Sequence, residues 1–381
     1  MIFISALLLF MLTLCPAANA QTQDAEPIQL KLSGFTTWYA AGSYNKHTPN
    51  GKDYNRFDVM GDAEVYFEGT AKISDDLKIG VMAQLEGGTD DYSDNWDEVY
   101  MFAQGNFGQL IIGDARNVSY SMTVTAPSVS VLGAEWTYYT RQVDQPANVV
   151  FIDSTDSKDL DSLAPKLSYI SPTVDGLTFG LSFTTASNSR GHDASVLYPK
   201  NNVRNQDGTY NAYGEYQLKY GGVALMRYEA EVAQDMVVAA SAYYGHYRPN
   251  DTTDSHSEHD YGLGLKVTQG AVSVGASYRR IMADAQSVFA SRQGYALDVG
   301  MSYDAGKYAL SANYFRSQAR GDLANEADDR VDMYVLAAKY RLGAGIDLFA
   351  DVGYLNFKDE TRDSAKGNEG VGTAVGFALS F

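Results

Sequence analysis

Residues 371–381, VGTAVGFALSF, form an alternating segment at the end of the chain. The odd positions, from Val371 to Phe381, carry the larger and mostly apolar side chains, and the even positions carry Gly, Ala or Ser. Side chains alternate across a β-strand, so the segment has one apolar face and one face of small residues. An exposed strand of this kind invites aggregation, whereas a closed barrel in a bilayer pairs its edge and turns the apolar face to lipid. The segment therefore predicts the closing strand of a transmembrane β-barrel.

The amino terminus predicts export. Residues 2–14 form a nearly unbroken apolar run, and Ala18-Asn19-Ala20 follows it before a polar stretch. This order is typical of a secretory signal peptide, here residues 1–20, although no Lys or Arg precedes the run. The alternative is an anchoring helix, but the run is short for a membrane span and no stop-transfer charges follow it. We expect residues 21–381 to form the mature protein.

Composition excludes several classes of function. Cys15 lies in the predicted signal peptide and is the single cysteine, so the mature chain has no disulfide, thiolate metal site or cysteine nucleophile. The chain has 47 acidic and 29 basic residues and a net charge of −18, which argues against binding nucleic acid or anionic lipid headgroups. No later apolar run approaches the length of a transmembrane helix, and 28 Tyr can supply the aromatic girdles of a barrel. A large soluble β-protein is the alternative.

Short and long connectors alternate along residues 21–381. The short ones, such as 105–108 and 342–345, are rich in residues that supply the positive φ of tight turns. The long ones, such as 188–208, are polar and often acidic, as expected for the outer loops of a bacterial barrel. Counting between connectors predicts sixteen strands: 28–42, 53–73, 77–88, 95–105, 108–117, 163–171, 177–188, 209–231, 236–248, 259–268, 271–283, 293–304, 307–318, 330–341, 346–357 and 369–381. We interpret Gly221-Gly222 as a bulge within one strand, since a turn there would give seventeen strands and break the alternation.

Charges fall on one parity of the predicted strands. In 261–267 and 346–354 one parity is uncharged and mostly apolar, as a lipid-facing row requires. The opposite parity of the later strands carries charged residues: Lys266, Arg279, Asp298, Asp347 and Asp351. A soluble sandwich would instead turn its apolar row inward. The sequence predicts an all-β, sixteen-stranded antiparallel transmembrane barrel with a wet lumen.

Four stretches resemble the general porins of Gram-negative bacteria. They are LKLSGF (30–35), DEVYMFAQGNFGQLIIG (97–113), YISP (169–172) and the terminal Phe381. The resemblance covers essentially all of residues 21–381. It implies a homotrimer of water-filled channels in the outer membrane, passing small hydrophilic solutes and ions. It also implies contact with outer-membrane lipid and lipopolysaccharide, no nucleic acid, and Phe381 as the signal read by the barrel-assembly machinery.

The resemblance further implies that the longest connector, 118–162, folds into the lumen as a constriction loop. Its acidic residues are Glu135, Asp144, Asp153, Asp156, Asp159 and Asp161. In the family, acids on this loop face a basic cluster on the barrel wall, and the balance of charge sets ion preference. The alternative is a solvated loop whose acids have no specific part.

The wall predicted to face this loop is mostly acidic. Its predicted lumen charges are Arg56, Asp58, Asp62, Glu64, Glu68, Lys72, Lys78, Glu86, Glu98, Asp114 and Arg116. Asp114 occupies a position where the family usually has an Arg, so the predicted basic cluster of the wall contains few residues. We expect a constriction of negative potential and a preference for cations, with Arg56 and Lys78 as rim residues in the alternative interpretation.

Other signals are weaker. Asp153, Asp156 and Asp159 are calcium candidates, but their run lacks the glycine and terminal glutamate of an EF-hand, and a solvated acidic run is favoured. No other cofactor or metal is predicted, and no nucleophile elbow or zincin motif indicates an enzyme.

Two further functions stay open. One is a selective channel with a saturable sugar or anion site near Tyr213, Tyr243 and Tyr247, and the other is a structural or adhesive barrel with a closed lumen. The many small residues on the lumen parity argue against a closed lumen.

Overall fold

The computed structural model describes most of the chain. The described residues are 27–48, 55–87, 96–135, 137–161, 163–186, 203–204, 210–211, 218–249, 257–283, 293–321 and 327–381. The predicted signal peptide lies outside them, as do Tyr213 and the side chain of Asp159.

Within the described residues, sixteen strands close an antiparallel barrel, which confirms the predicted fold. Its strands are β1 (Gln29–Asn45), β2 (Phe57–Ser74), β3 (Leu77–Glu86), β4 (Trp96–Gly105), β5 (Gly108–Asp114), β6 (Pro165–Ile170), β7 (Leu177–Ala186), β10 (Leu218–Ala233), β11 (Met236–Pro249), β12 (Glu258–Gln269), β13 (Val272–Ala283), β14 (Gly294–Asp304), β15 (Tyr308–Ala319), β16 (Asp329–Gly343), β17 (Ile346–Lys358) and β18 (Asn368–Ser380). Two-residue strands β8 (Val203–Arg204) and β9 (Tyr210–Asn211) pair separately, so β7 lies beside β10 in the barrel.

The two ends of the chain close the barrel. The predicted closing strand is β18, which pairs with β17 on one side and with β1 on the other. Beyond β18, the amide of Phe381 donates to the carbonyl of Gly34 at 3.1 Å, and the amide of Gly34 donates back at 3.0 Å. The strand edge that would be exposed in an open sheet is therefore paired.

Apolar side chains face outward, as predicted. Leu263 and Met301 are 58% and 53% exposed, whereas Arg279 and Asp298 on the opposite parity are buried inside the barrel. A bilayer would cover the outward apolar rows.

Several strand boundaries differ from the prediction by a few residues, and two of the differences bear on the interior of the barrel. β10 begins at Leu218 rather than at 209, and its register shifts between Lys219 and Gly222, so Gly221 lies in the predicted bulge. β5 ends at Asp114 rather than at 117. Asn117 instead caps helix α1 (Val118–Met122), because its side chain accepts a hydrogen bond from the Ser119 amide.

The described helical segments all lie between β5 and β6. They are α1, a 3-10 turn (Tyr138–Arg141) and α2 (Lys158–Asp161). Of the described helices, none has the length and apolar character needed to cross a membrane.

Candidate functional site

The connector between β5 and β6, residues 115–164, is called the inner loop, and its described residues (115–135, 137–161 and 163–164) lie inside the barrel. Its first half follows the wall from β7 to β15 through backbone amides that donate to serine hydroxyls. The Val118 amide bonds Ser182 at 2.9 Å and the Val124 amide bonds Ser241 at 2.8 Å. The Val129 amide bonds a third serine, on β15, at 3.0 Å. A loop buried in this way needs such partners for its backbone.

One wall carboxylate holds the turn of the inner loop. Asp351 Oδ2 on β17 accepts hydrogen bonds from Ser130 Oγ at 2.8 Å, the Val131 amide at 2.7 Å and the Leu132 amide at 3.1 Å. Asp351 is buried. The carboxylate therefore anchors three successive residues of the loop to one point of the wall.

The second half of the inner loop returns along the same wall. The Val150 amide donates to Asp329 of β16 at 2.8 Å, and the Ile152 amide donates to Ser317 of β15 at 2.7 Å. Tyr243 of β11 donates to the Thr155 carbonyl at 3.0 Å. The first half of the loop thus bonds to the wall from β7 to β17, and the second half bonds to it again from β16 back to β11.

An apolar core fills the space between the inner loop and this wall. Its loop side includes Leu132, Tyr139, Val143 and Ile152, and its wall side includes Phe315, Phe349, Leu355 and Phe357. Wall glycines make the close approach possible, since a Cβ on Gly353 would lie 2.8 Å from the Tyr139 ring. These small lumen residues, which the sequence analysis took as a sign of an open pore, provide room for the loop.

The predicted loop acids hold the loop in place. Asp161 is buried and accepts hydrogen bonds from Asn117 Nδ2 and Tyr247 Oη, both at 2.9 Å, with Lys166 Nζ at 3.7 Å. Asp156 is buried beside Lys158, whose amide donates to Oδ1 at 2.8 Å.

The other loop acids are similarly engaged. Asp144 is fully buried, and Glu135 Oε2 accepts both the amide and the hydroxyl of Thr155 at 2.8 Å. Burial, followed by the nearby Asp156, raises the pKa of Glu135 to about 6. Asp153 is half-buried. This arrangement differs from the resemblance, in which the loop acids face the pore.

The inward row of β2, β3 and β4 remains uncovered by the inner loop over most of its length, and it is acidic. It carries Asp58, Asp62, Glu64, Glu68, Glu86 and Glu98. Glu64 and Glu86 are cross-strand partners, and both are half-buried. The loop meets this row where Tyr138 donates to Asp62 Oδ2 at 3.0 Å and where the Arg116 amide donates to Glu98 Oε1 at 2.5 Å.

Three of these acids lie close together. Asp62, Glu64 and Glu86 each offer an oxygen within 4.8 Å of the others, and among the described residues they are the group close enough to share a cation. Among the described side chains, which do not include that of Asp159, the calcium candidates Asp153 and Asp156 do not belong to such a group.

The basic residues of this wall have acidic neighbours or lie at its ends. Lys78 Nζ is 3.7 Å from Glu68, and Arg116 Nη2 is 3.3 Å from Asp97. Lys72 pairs with Asp75 of the adjoining turn at 2.7 Å. Arg56 precedes β2 and is exposed at the rim, which favours the rim interpretation for that residue. The wall therefore has an excess of carboxylates.

Asp114 lies in a different row from the predicted one. It pairs with Val99 of β4 and Pro165 of β6, and Val99 belongs to the outward row. The register position of Asp114 is therefore on the outer face at the end of β5. The prediction placed Asp114 on the lumen wall because the family usually has an Arg at that position. The strand ends at Asp114, just after Gly113, whose φ is +140°.

The exposed side of the inner loop is rich in hydroxyl groups. Tyr120, Ser121 and Ser128 are exposed, and Thr123 and Thr125 are half-buried. The Tyr120 ring has the Arg116 guanidinium 5.1 Å from its centre and the Lys158 ammonium 5.3 Å from it. A loop surface rich in hydroxyl groups, with Arg116 beside Tyr120, and an acidic wall therefore border the open part of the lumen.

The sequence reasoning missed the anchoring residues of the covered wall. Asp351 was predicted only as a lumen charge, and Ser182, Ser241 and Ser317 were not singled out. Glycines recurring on the lumen parity, such as Gly353, were a usable signal, because glycine in a strand often marks the close approach of another backbone.

Comparisons with known proteins agree with this architecture. The sequence model of the Gram-negative porin family matches residues 5–360. No curated protein matches the chain. The anion-selective porin of Comamonas acidovorans is 14% identical with a TM-score of 0.64, over 93% of this chain and 100% of that one.

Two further solved structures are similar. OmpF of Salmonella typhi, solved with daunomycin, is 16% identical with a TM-score of 0.62, over 93% of this chain and 98% of that one. The trimer form of OmpT of Vibrio cholerae is 14% identical with a TM-score of 0.56, over 92% of this chain and 100% of that one.

The fold and the lumen define an outer-membrane channel protein. The family match extends over more than half of the chain, and the chain belongs to the Gram-negative porin family, which confirms the predicted resemblance.

Proposed function

We propose that the protein is a diffusion channel for small hydrophilic solutes and ions, that it prefers cations, and that it catalyses no reaction. The observation that carries the proposal is the inward row of β2–β4, whose six carboxylates outnumber its basic residues although Asp62 and Glu98 also bond to the inner loop. Charges of one sign in a narrow, poorly screened passage enrich counter-ions. The basic neighbours Lys78 and Arg116 are fewer than these carboxylates and are paired with acids.

The side chains of the lumen favour neither of the two alternatives, a selective sugar channel or a closed structural barrel. A sugar site would use exposed aromatic side chains, but Tyr243 and Tyr247 are buried and donate to the inner loop. A closed structural barrel would fill the lumen with self-neutralising side chains, whereas Glu64 and Glu86 retain partial exposure beside each other. The Comamonas relative is anion-selective, so the sign of selectivity needs its own measurement.

The direct test uses residues 21–381 in a planar bilayer across a potassium chloride gradient. We expect large ohmic conductance steps and a reversal potential that favours potassium. A reversal potential that favours chloride would support channel function but contradict the proposed role of the wall acids in cation preference. Folded protein that gives no conductance would contradict channel function itself.

We also propose a homotrimer that assembles in the outer membrane after cleavage of residues 1–20. A trimer form of one relative supports it. Conductance steps in threes and a trimeric mass of the folded protein are expected. Single steps with a monomeric mass would contradict the trimer.

Phe381 is proposed as the signal recognised by the barrel-assembly machinery. Its backbone pairs with Gly34, so its removal also shortens the closing edge. Phe381→Ala keeps that backbone pairing and removes the ring. We expect slower insertion by assembly-machinery vesicles and unchanged spontaneous folding in detergent. Equal loss in both assays would indicate a purely structural role.

A further inference from the structure

A pair of histidines faces away from the lumen near one end of the barrel. His246 of β11 and His259 of β12 are direct cross-strand partners, and both are half-buried on outward rows. Tyr244 and Tyr261, two residues nearer the middle of the same strands, are also partners and are exposed. Tyrosines in such rows mark the level of the lipid headgroups, so the histidines just beyond them lie where water and ions reach.

The spacing of the two imidazole rings fits a shared metal ion. Their centres are 4.8 Å apart, and the angle between their planes is 35°. Imidazole nitrogens bind zinc and similar metals at about 2.0 Å, so two rings on one metal have centres about 4.5 to 5.2 Å apart. Both histidines stand on paired strands, so a metal bound by one ring meets the second ring at a high effective concentration.

The protein leaves nitrogens of this pair available. His259 Nδ1 is 2.8 Å from Tyr244 Oη, a contact that orients the ring and leaves Nε2 for another partner. His246 Nδ1 is buried and has no hydrogen-bond partner within the part of the chain that the structure describes. A buried polar atom without a partner is rare in folded proteins and indicates that a water or an ion supplies one.

A thioether lies in the same outward row. Met282 of β13 is the cross-strand partner of His259 on its other side, and it is 40% exposed. Methionine side chains are flexible, and their soft sulfur suits copper(I). Arg248 follows His246 on the outward row of β11, but it is exposed, so water and salt screen its repulsion of a bound cation.

We propose that His246 and His259 bind a copper ion on the lipid-facing side of the barrel, with Met282 as a further donor to copper(I). Imidazole ligands suit copper(II), which nitrogen sites bind more tightly than they bind zinc. The site goes beyond the proposed channel function and does not depend on it, because these side chains lie on the opposite face of the wall from the lumen.

The test is titration of the folded mature protein with copper(II) sulfate in detergent, followed by calorimetry. For His246→Asn or His259→Asn we expect binding weaker by about tenfold or more, because either change leaves a single imidazole. The two changes together should cause no further loss, since one alone already removes the chelate. The matched control is His47→Asn, because His47 is an exposed histidine outside this pair. We expect that control to bind copper as the unchanged protein does.

Electron paramagnetic resonance of the unchanged protein gives a second test that needs no variant. Coupling of copper(II) to two imidazole nitrogens is expected, and a spectrum of oxygen ligands alone would overturn the site. Equal binding by the single variants, or an equal loss in His47→Asn, would indicate adventitious binding to surface histidines. Zinc bound as tightly as copper(II) would overturn the choice of metal.

The part of Met282 is tested with copper(I), kept reduced by ascorbate and measured by competition with a chelator. For Met282→Leu we expect copper(I) binding weaker by about threefold and copper(II) binding unchanged, since the thioether is the softer donor. Copper(I) binding equal to that of the unchanged protein would exclude Met282 from the site.

Discussion

The two sides of the barrel wall use carboxylates in opposite ways. On the covered side, Asp351 is buried and bonded to backbone amides of the inner loop, and the loop acid Asp161 is bonded to the wall. On the uncovered side, Glu64 and Glu86 keep partial exposure to the lumen. A buried carboxylate oxygen that accepts several hydrogen bonds holds the structure together, whereas an exposed carboxylate shapes the potential that ions meet. The number of acids on the loop is therefore a poor guide to the charge of the pore.

Removal of the Asp351 anchor should have the largest effect. Asp351→Leu leaves the amides of Val131 and Leu132 without their acceptor, at a cost of about 3 kcal/mol or more. We expect the loop to detach, so that trypsin cuts after Arg141 or Lys158 in folded protein. Gel analysis of limited digests measures this.

The matched control for that experiment is Asp347→Leu. Asp347 lies on the same inward row of β17 but is half-buried and pairs with Lys339 at 3.6 Å, away from the loop. It should remain resistant to trypsin. Equal cleavage of both variants would mean that Asp351 is not a specific anchor.

Neutralising the uncovered wall should change selectivity without loosening the loop. For Glu64→Gln with Glu86→Gln we expect the potassium-to-chloride permeability ratio to fall roughly twofold to fourfold in dilute salt. The difference in permeability ratio between this variant and the unchanged protein should vanish near 1 M salt, where the Debye length is about 3 Å. Reversal potentials at two salt concentrations measure both effects.

A loop acid supplies the comparison for this variant. Asp161→Asn removes one negative charge from a buried position, so we expect reduced stability and an unchanged permeability ratio. A larger change in selectivity from Asp161→Asn than from the wall variant would reverse the assignment of roles.

The smallest expected effect concerns Glu135 and pH. Because its pKa is raised to about 6 in the folded chain, ionisation above that pH disfavours folding. Glu135→Gln keeps an acceptor for Thr155 and should stabilise the protein by at most about 2 kcal/mol above pH 6. The gain should shrink as pH falls from 6 and disappear below the ordinary pKa of 4.5. Thermal unfolding at pH 4 and pH 8 gives the comparison, and an equal gain at both would exclude titration as the cause.

The sequence predicted the barrel well because the barrel follows local rules. Side-chain parity and turn residues identified the sixteen strands, and the bulge at Gly221 followed from the alternation of connectors. The lumen-facing positions of Glu64 and Glu86 also followed from parity.

Local rules could not predict that the acids of the inner loop are buried and bonded within the barrel. Asp161 meets Tyr247 and Asp351 meets Val131 across 86 and 220 residues of sequence. Parity within a strand carries no information about these contacts, because they depend on how the inner loop crosses the wall. Asp114 was assigned from the family's usual pattern, whereas its strand register places it opposite Val99 of the outward row.

Thiol accessibility tests most directly that the charge of the pore lies on the wall and not on the loop. With cleavage after Ala20 the mature chain has no cysteine, so Glu86→Cys and Asp156→Cys each introduce a single thiol. A cationic methanethiosulfonate reagent is applied to the conducting channel while the current and the reversal potential are recorded. We predict that the thiol at position 86 reacts rapidly and lowers cation preference, while the thiol at position 156 stays unreacted. Reaction at position 156 as fast as at position 86 would contradict the account.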